Sequence, residues 1–133
     1  MGQLAYTATA GMPLHQRIQA RLQATVTWND DSGKDSITIQ GTTENIGGTS
    51  ALINLNVLPK VGSKVHLRLS DEGNEIIETS AEVIRVERDP GKPQAALAIT
   101  GNTDKWQEKA LEAAQSWVIR DIEINYEGDD WLN

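Results

Sequence analysis

Cysteine is absent from the 133 residues and histidine occurs only twice. Disulfides, zinc ribbons, iron–sulfur clusters and thiol nucleophiles are therefore excluded, and only a carboxylate-rich metal site would remain. Phenylalanine is absent too, leaving four tryptophans and two tyrosines to supply all aromatic packing. No apolar run nears the roughly 20 residues of a membrane-spanning helix, and the opening stretch has neither the basic start nor the apolar centre of a signal peptide. These absences predict a soluble, cytoplasmic protein without membrane insertion. Basic charge is in deficit as well: 12 Lys and Arg face 19 Asp and Glu, for a net charge of -7. That balance argues against nucleic-acid partners, which are held by clustered cations and, for single strands, by exposed aromatics.

Catalytic patterns are also missing. The chain has no Gly-x-Ser-x-Gly elbow, no phosphate-binding Gly-x-x-x-x-Gly-Lys loop, no His-Glu-x-x-His pair and no Asp-x-Asp-x-Asp-Gly calcium loop. Its carboxylates fall on turns, strand surfaces and the C-terminal end, with no spacing that pairs an acid with a base. His15 and His66 read as solvated surface residues. The expectation is a protein that is not an enzyme and needs no cofactor or metal.

What is present suits one domain with one core. Residues 1–13 are small, polar and aperiodic, and read as a flexible N-terminal segment. From Leu22 the apolar residues alternate (Leu22, Ala24, Val26, Trp28) and stop at Asn29-Asp30-Asp31-Ser32-Gly33, a turn. Further strands are predicted from Ser36 to Glu44, through Ala51 to Leu55, from Lys64 to Leu69, from Ile76 to Arg88 and from Gln94 to Thr100. Asn45 to Thr49, Pro59 to Gly62, Asp71 to Asn74 and Asp89 to Gly91 read as the connections between them. Six short strands favour a closed antiparallel barrel, which leaves no edge exposed. After Thr103 the period becomes 3.6. Trp106, Ala110, Leu111, Ala113, Ala114, Trp117 and Val118 predict an amphipathic helix, capped by Asn102 or Thr103, that plugs the barrel. Residues 119–133 form an acidic tail (Asp121, Glu123, Glu127, Asp129, Asp130) that reads as solvated.

One local exception to the acidic balance stands out. Arg17 and Arg21 precede the first alternating strand, in a stretch with no acidic residue before Asp30, and Asn45-Ile46-Gly47-Gly48-Thr49-Ser50 follows one hairpin later. From Leu14 to Val118 the order and spacing resemble a PilZ domain, the bacterial receptor module for cyclic di-GMP. That family pairs Arg-x-x-x-Arg ahead of the first strand with Asp/Asn-x-Ser-x-x-Gly between the second and third, on a six-stranded barrel with a C-terminal helix. Arg17, Arg21 and Asn45 match, while Gly47 stands at the Ser position and Ser50 at the final Gly, so the second motif is degenerate.

The resemblance implies a mainly β fold, a domain over residues 14–118, and a non-catalytic receptor in bacterial second-messenger signalling with a protein partner downstream. It implies Arg17, Arg21, Asn45, Gly47 and Ser50 as the ligand-binding residues. A planar guanidinium fork suits both phosphates and the O6/N7 edge of guanine, and an Asn amide can read a base edge. Losing the Ser hydroxyl at Gly47 removes about 0.5–1.5 kcal/mol of hydrogen bonding. Ser50 is expected to strain the loop if the backbone there needs positive φ. The alternatives are a domain that has lost nucleotide and acts as a protein-interaction adaptor, or a regulatory segment of a cellulose-synthase-like glycosyltransferase.

Overall fold

Each alternating stretch becomes a strand because one of its faces must leave water, and the strands close on themselves so that every inward face meets another. The computed structural model describes residues 17–130, with side chains through Glu123. Residues 1–16, including the expected flexible segment and His15, lie outside the described residues. The strands are β1 (Arg17–Ile18), β2 (Gln23–Asn29), β3 (Ser36–Gly47), β4 (Ser50–Asn54), β5 (Lys64–Asp71), β6 (Asn74–Glu87) and β7 (Gln94–Ile99). All pairings are antiparallel, in the order β1-β3-β2-β5-β6-β7-β4, and β4 returns to pair with β3. Strands β2 to β7 are thus the six-stranded barrel the alternation predicts. The two-residue β1 is additional, laid against the far end of β3.

The long strand β3 is what couples these parts. Its first half pairs with β2 and its second half with β4, so it turns the barrel corner. Two devices allow the turn. A bulge between Thr43 and Asn45 shifts the register around Glu44, and Gly41 leaves room for Asn54, whose carbonyl oxygen would sit only 2.0 Å from a Cβ added there. The connection expected over Asn45 to Thr49 is shorter in the structure. Ile46 is fully buried, opposite Ala51 on one side and Ile18 on the other, so the ladder continues to Gly47 and only Gly48 and Thr49 turn the chain.

Beyond the barrel, α1 (Thr103–Lys105), a π-helical turn (Trp106–Ala110) and α2 (Leu111–Asp130) follow one another as a single helical run. Trp106, Ala110 and Ala114 join the barrel core, with Leu111, Ala113, Trp117 and Val118 packed at its margin. The expected side-chain cap is not made. Asn102 occupies the N-cap position in the left-handed region, φ 52°, which asparagine tolerates, and its carbonyl accepts the Trp106 amide at 2.9 Å. The helix also runs on through the acidic stretch to Asp130. Arg120 ties it to the β5–β6 turn through the carboxylates of Asp71 and Glu72.

Candidate functional site

Arg17 and Gly47 are register partners, which sets the arginine side chain beside the end of β3. Arg17 Nε donates to Asn45 Oδ1 at 2.6 Å, and Nη1 donates to Ser50 Oγ at 2.7 Å. Both of the family-like sequence motifs therefore meet at one guanidinium. Gly47 makes the meeting possible: a Cβ there would stand 3.1 Å from Arg17 Nη1 and 3.2 Å from Ser50 Oγ. The side chain missing at 47 and the hydroxyl gained at 50 thus share one small volume. Ser50 is not among the residues with positive φ, so the backbone strain anticipated there is absent. Trp106 fixes the floor of this arrangement, since its buried indole Nε1 donates to the Gly47 carbonyl at 2.9 Å.

Arg21 is exposed and is not hydrogen-bonded to that trio. It stands where two cavities adjoin. One, of about 270 Å³, lies between Gln19, Arg21 and Glu44 on the barrel side and Trp117 and Asp121 on α2. The other, of about 400 Å³, runs from Arg21 past Glu44 and Asn54 to Lys92. Glu44, lifted out by the bulge, is half-buried between them. Its carboxylate pairs with Lys92 at 3.2 Å and accepts from Asn54 Nδ2 at 3.3 Å, while Gln94 Nε2 donates to Asn54 Oδ1 at 2.9 Å. Lys92 first, then Asn54, hold the Glu44 carboxyl below the usual glutamate range, with the Arg21 charge adding to them. A carboxylate depressed in this way stays ionised at neutral pH and gives up its stabilising contribution only as the pH falls below the ordinary glutamate value.

Thr43 is the residue that sequence reasoning passed over. It is fully buried. Its hydroxyl accepts the Leu22 amide at 2.8 Å and donates to the Ala20 carbonyl, and its own amide donates to the Leu22 carbonyl at 2.8 Å. These bonds grip the backbone on both sides of Arg21, which keeps that side chain facing outward. A threonine at an inward position of a strand is the signal to read, since a buried hydroxyl needs a partner. Thr43→Val keeps the shape but strands the Leu22 amide, so urea denaturation is expected to show a loss of about 1–3 kcal/mol. Thr43→Ser, retaining the hydroxyl, should restore most of the bonding and exceed the valine variant in stability.

Among the described residues, no three His, Asp or Glu side chains gather to hold a metal ion, and no helix is long and apolar enough to cross a membrane. A family profile described as PilZ domain matches residues 14–114. No curated protein sequence matches the chain. Among solved structures, the PilZ domain of YcgR from Escherichia coli, determined with c-di-GMP, superposes with a TM-score of 0.61 at 12% identity, over 83% of this chain and 94% of that one. The Bacillus subtilis inhibitor of motility MotI/DgrA gives a TM-score of 0.54 at 21% identity over 80% of this chain. This chain spans about half the length of the MotI/DgrA chain, 50%.

Proposed function

The chain belongs to the PilZ domain family, and from that membership we propose that it is a non-catalytic receptor for cyclic di-GMP, acting in the bacterial cytoplasm through a protein partner. The observation that carries this reading is the Arg17 guanidinium held by Asn45 and Ser50 over Gly47, which assembles both motifs despite their altered letters. The departures compensate: the hydroxyl missing at position 47 is supplied from position 50, within 3.2 Å of where a Cβ at 47 would lie.

The chemistry follows from the donors. A guanidinium carries five N–H groups in a fixed fork, and two of those on Arg17 orient the side chain. Ordering a long side chain in advance removes about 0.5–1.5 kcal/mol from the cost of binding. The remaining donor capacity faces a ligand rich in acceptors, with two phosphates and two O6/N7 edges. Arg21 supplies a second, exposed cation. Ligand contact along β1 and the β3–β4 turn would alter the surface that a partner protein meets.

The test is isothermal titration of the full chain with cyclic di-GMP, beside Arg21→Ala and with GMP as a control. Saturable binding is expected, weakened about ten- to more than hundredfold in the variant by loss of a charge-assisted bond. A second reading, the protein-interaction adaptor, draws on the same latch, because an Arg17 satisfied by its own chain can persist without ligand. Absence of heat together with an unchanged melting temperature would favour it over the receptor.

A further inference from the structure

In the cavity of about 400 Å³ beside Arg21, donors from two strands and a turn converge on one carboxylate. Arg21 and Lys92 both line it, and Glu44 is the only acidic residue among the described residues of its wall. Lys92 Nζ lies 3.2 Å from Glu44 Oε1, and Asn54 Nδ2 donates to the same oxygen at 3.3 Å. Asn54 turns its amide nitrogen this way because Gln94 Nε2 donates to its Oδ1 at 2.9 Å from the opposite side, and its ladder neighbours Thr42 and Gln94 hold its backbone in place. Lysine and arginine have donors and no acceptor, and the Asn54 acceptor is already used. A cation would meet two positive charges here, and a neutral group would leave them unanswered. The donor set suits an anion, and a side-chain anion from the same chain already fills that role.

We propose that this cavity is a phosphodiester site, in which Lys92 and Asn54 Nδ2 join Arg21 as donors and the Glu44 carboxylate is a resident anion that the ligand displaces. The inference rests on the cyclic di-GMP reading for the identity of the ligand, and adds to it a cation on the β6–β7 turn, outside both sequence motifs, and a built-in competitor. Three features make Glu44 displaceable. Its contacts to Lys92 and Asn54 are longer than the roughly 2.7–2.9 Å of a strong charge-assisted bond. It sits in the bulge between Thr43 and Asn45 and has no register partner on β4, so its side chain can swing aside without opening the ladder. Its partner Lys92 is more than half exposed, which leaves the ammonium free to follow a new anion. The cavity also falls within the roughly 300–1,000 Å³ of small-molecule sites. Because Glu44 and Asn45 are consecutive, a phosphodiester here lies beside the cluster of Arg17, Asn45 and Ser50, within the span of one dinucleotide.

The experiment is isothermal titration of the full chain with cyclic di-GMP, and separately with inorganic pyrophosphate as the anionic group without bases, on wild type, Glu44→Gln, Lys92→Ala and the double variant. Melting temperatures check that each is folded. Glu44→Gln is expected to bind cyclic di-GMP about two- to fivefold more tightly than wild type, the scale of a partly exposed ion pair that no longer has to be broken. Lys92→Ala should weaken binding, and by a larger factor in the Glu44→Gln background than in wild type, because only there does the ligand have the lysine without competition. Pyrophosphate should rank the four proteins in the same order at lower affinity. Saturable cyclic di-GMP binding with Glu44→Gln no tighter than wild type, or with Lys92→Ala silent in both backgrounds, overturns the inference and leaves the receptor reading standing. Cyclic di-GMP ignored by all four proteins while pyrophosphate keeps the expected order overturns the receptor reading and supports the anion site. Flat titrations with both ligands overturn both.

Discussion

Trp106→Ala is expected to cost about 3–5 kcal/mol in urea denaturation, the range for deleting a fully buried aromatic side chain. Domains of this size have only about 5–15 kcal/mol in hand, so the variant should sit near its unfolding threshold. The reason for so large an effect is that the chain has no phenylalanine with which to share the load. Among the described residues Trp106 is the largest fully buried side chain, it joins the helix to the barrel core, and its indole donates to the Gly47 carbonyl. Trp106→Phe separates these roles. It keeps most of the buried surface and deletes only the donor, so its loss should be about 1–3 kcal/mol, the cost of leaving a buried acceptor without its partner. Equal midpoints for Trp106→Phe and wild type would show that the indole hydrogen bond contributes nothing.

Gly41→Ala should be nearly as damaging although it adds a single methyl group. The new Cβ would fall 2.0 Å from the Asn54 carbonyl oxygen and 3.0 Å from Leu55 Cδ2. A side chain can rotate out of such a contact, but a backbone carbonyl in a ladder cannot, so β3 and β4 must separate where Thr42 faces Asn54. The expected cost is about 3 kcal/mol, at the upper end of ordinary overpacking. Because Asn54 also orients Glu44 and receives Gln94, the damage should spread along the seam toward Asn45 and Ser50. Gly91→Ala is the matched control: its Cβ would meet only Asp89 Oδ1 at 3.5 Å, and its stability should stay within about 0.5 kcal/mol of wild type. A thermal melt of Gly41→Ala that overlays the control would show that the seam yields without cost.

The barrel was legible because most strands keep a strict period of two. Leu22, just ahead of β2, and Ala24, Val26 and Trp28 on it all point into the core as the pattern requires, and on β5 so do Val65, Leu67 and Leu69. Legibility ended where a bulge breaks the phase. Between the inward residues Thr43 and Ile46 lie two residues rather than one, so the alternation breaks at Glu44 although the strand runs to Gly47. The same break hid Thr43, whose inward hydroxyl serves the backbone around Arg21. Strand β1 has only two residues, too few for any period.

The spacing of the two arginines was equally visible, but their destinations were not. Arg17 lies in β1 and turns to Asn45 and Ser50, whereas Arg21 lies beyond it and borders cavities shared with α2 and the β6–β7 turn. The exchange of Gly and Ser between positions 47 and 50 reads as two separate losses along the chain. It becomes one rearrangement only when both positions are seen to border the same space.

The π-helical turn at Trp106–Ala110 has an angular consequence. An α-helix advances about 100° per residue, so a turn that takes in one extra residue swings everything after it around the axis by about that amount. Trp117 and Asp121, four residues apart, lie on one stripe of α2, and this offset decides that the stripe looks toward Arg21. Insertion or deletion of one residue in that turn would re-aim the whole stripe while Trp106 kept its seat in the barrel. The turn thus works as a phase setting between a fixed core and a steerable helix, which lets the barrel stay constant while the surface that α2 presents changes.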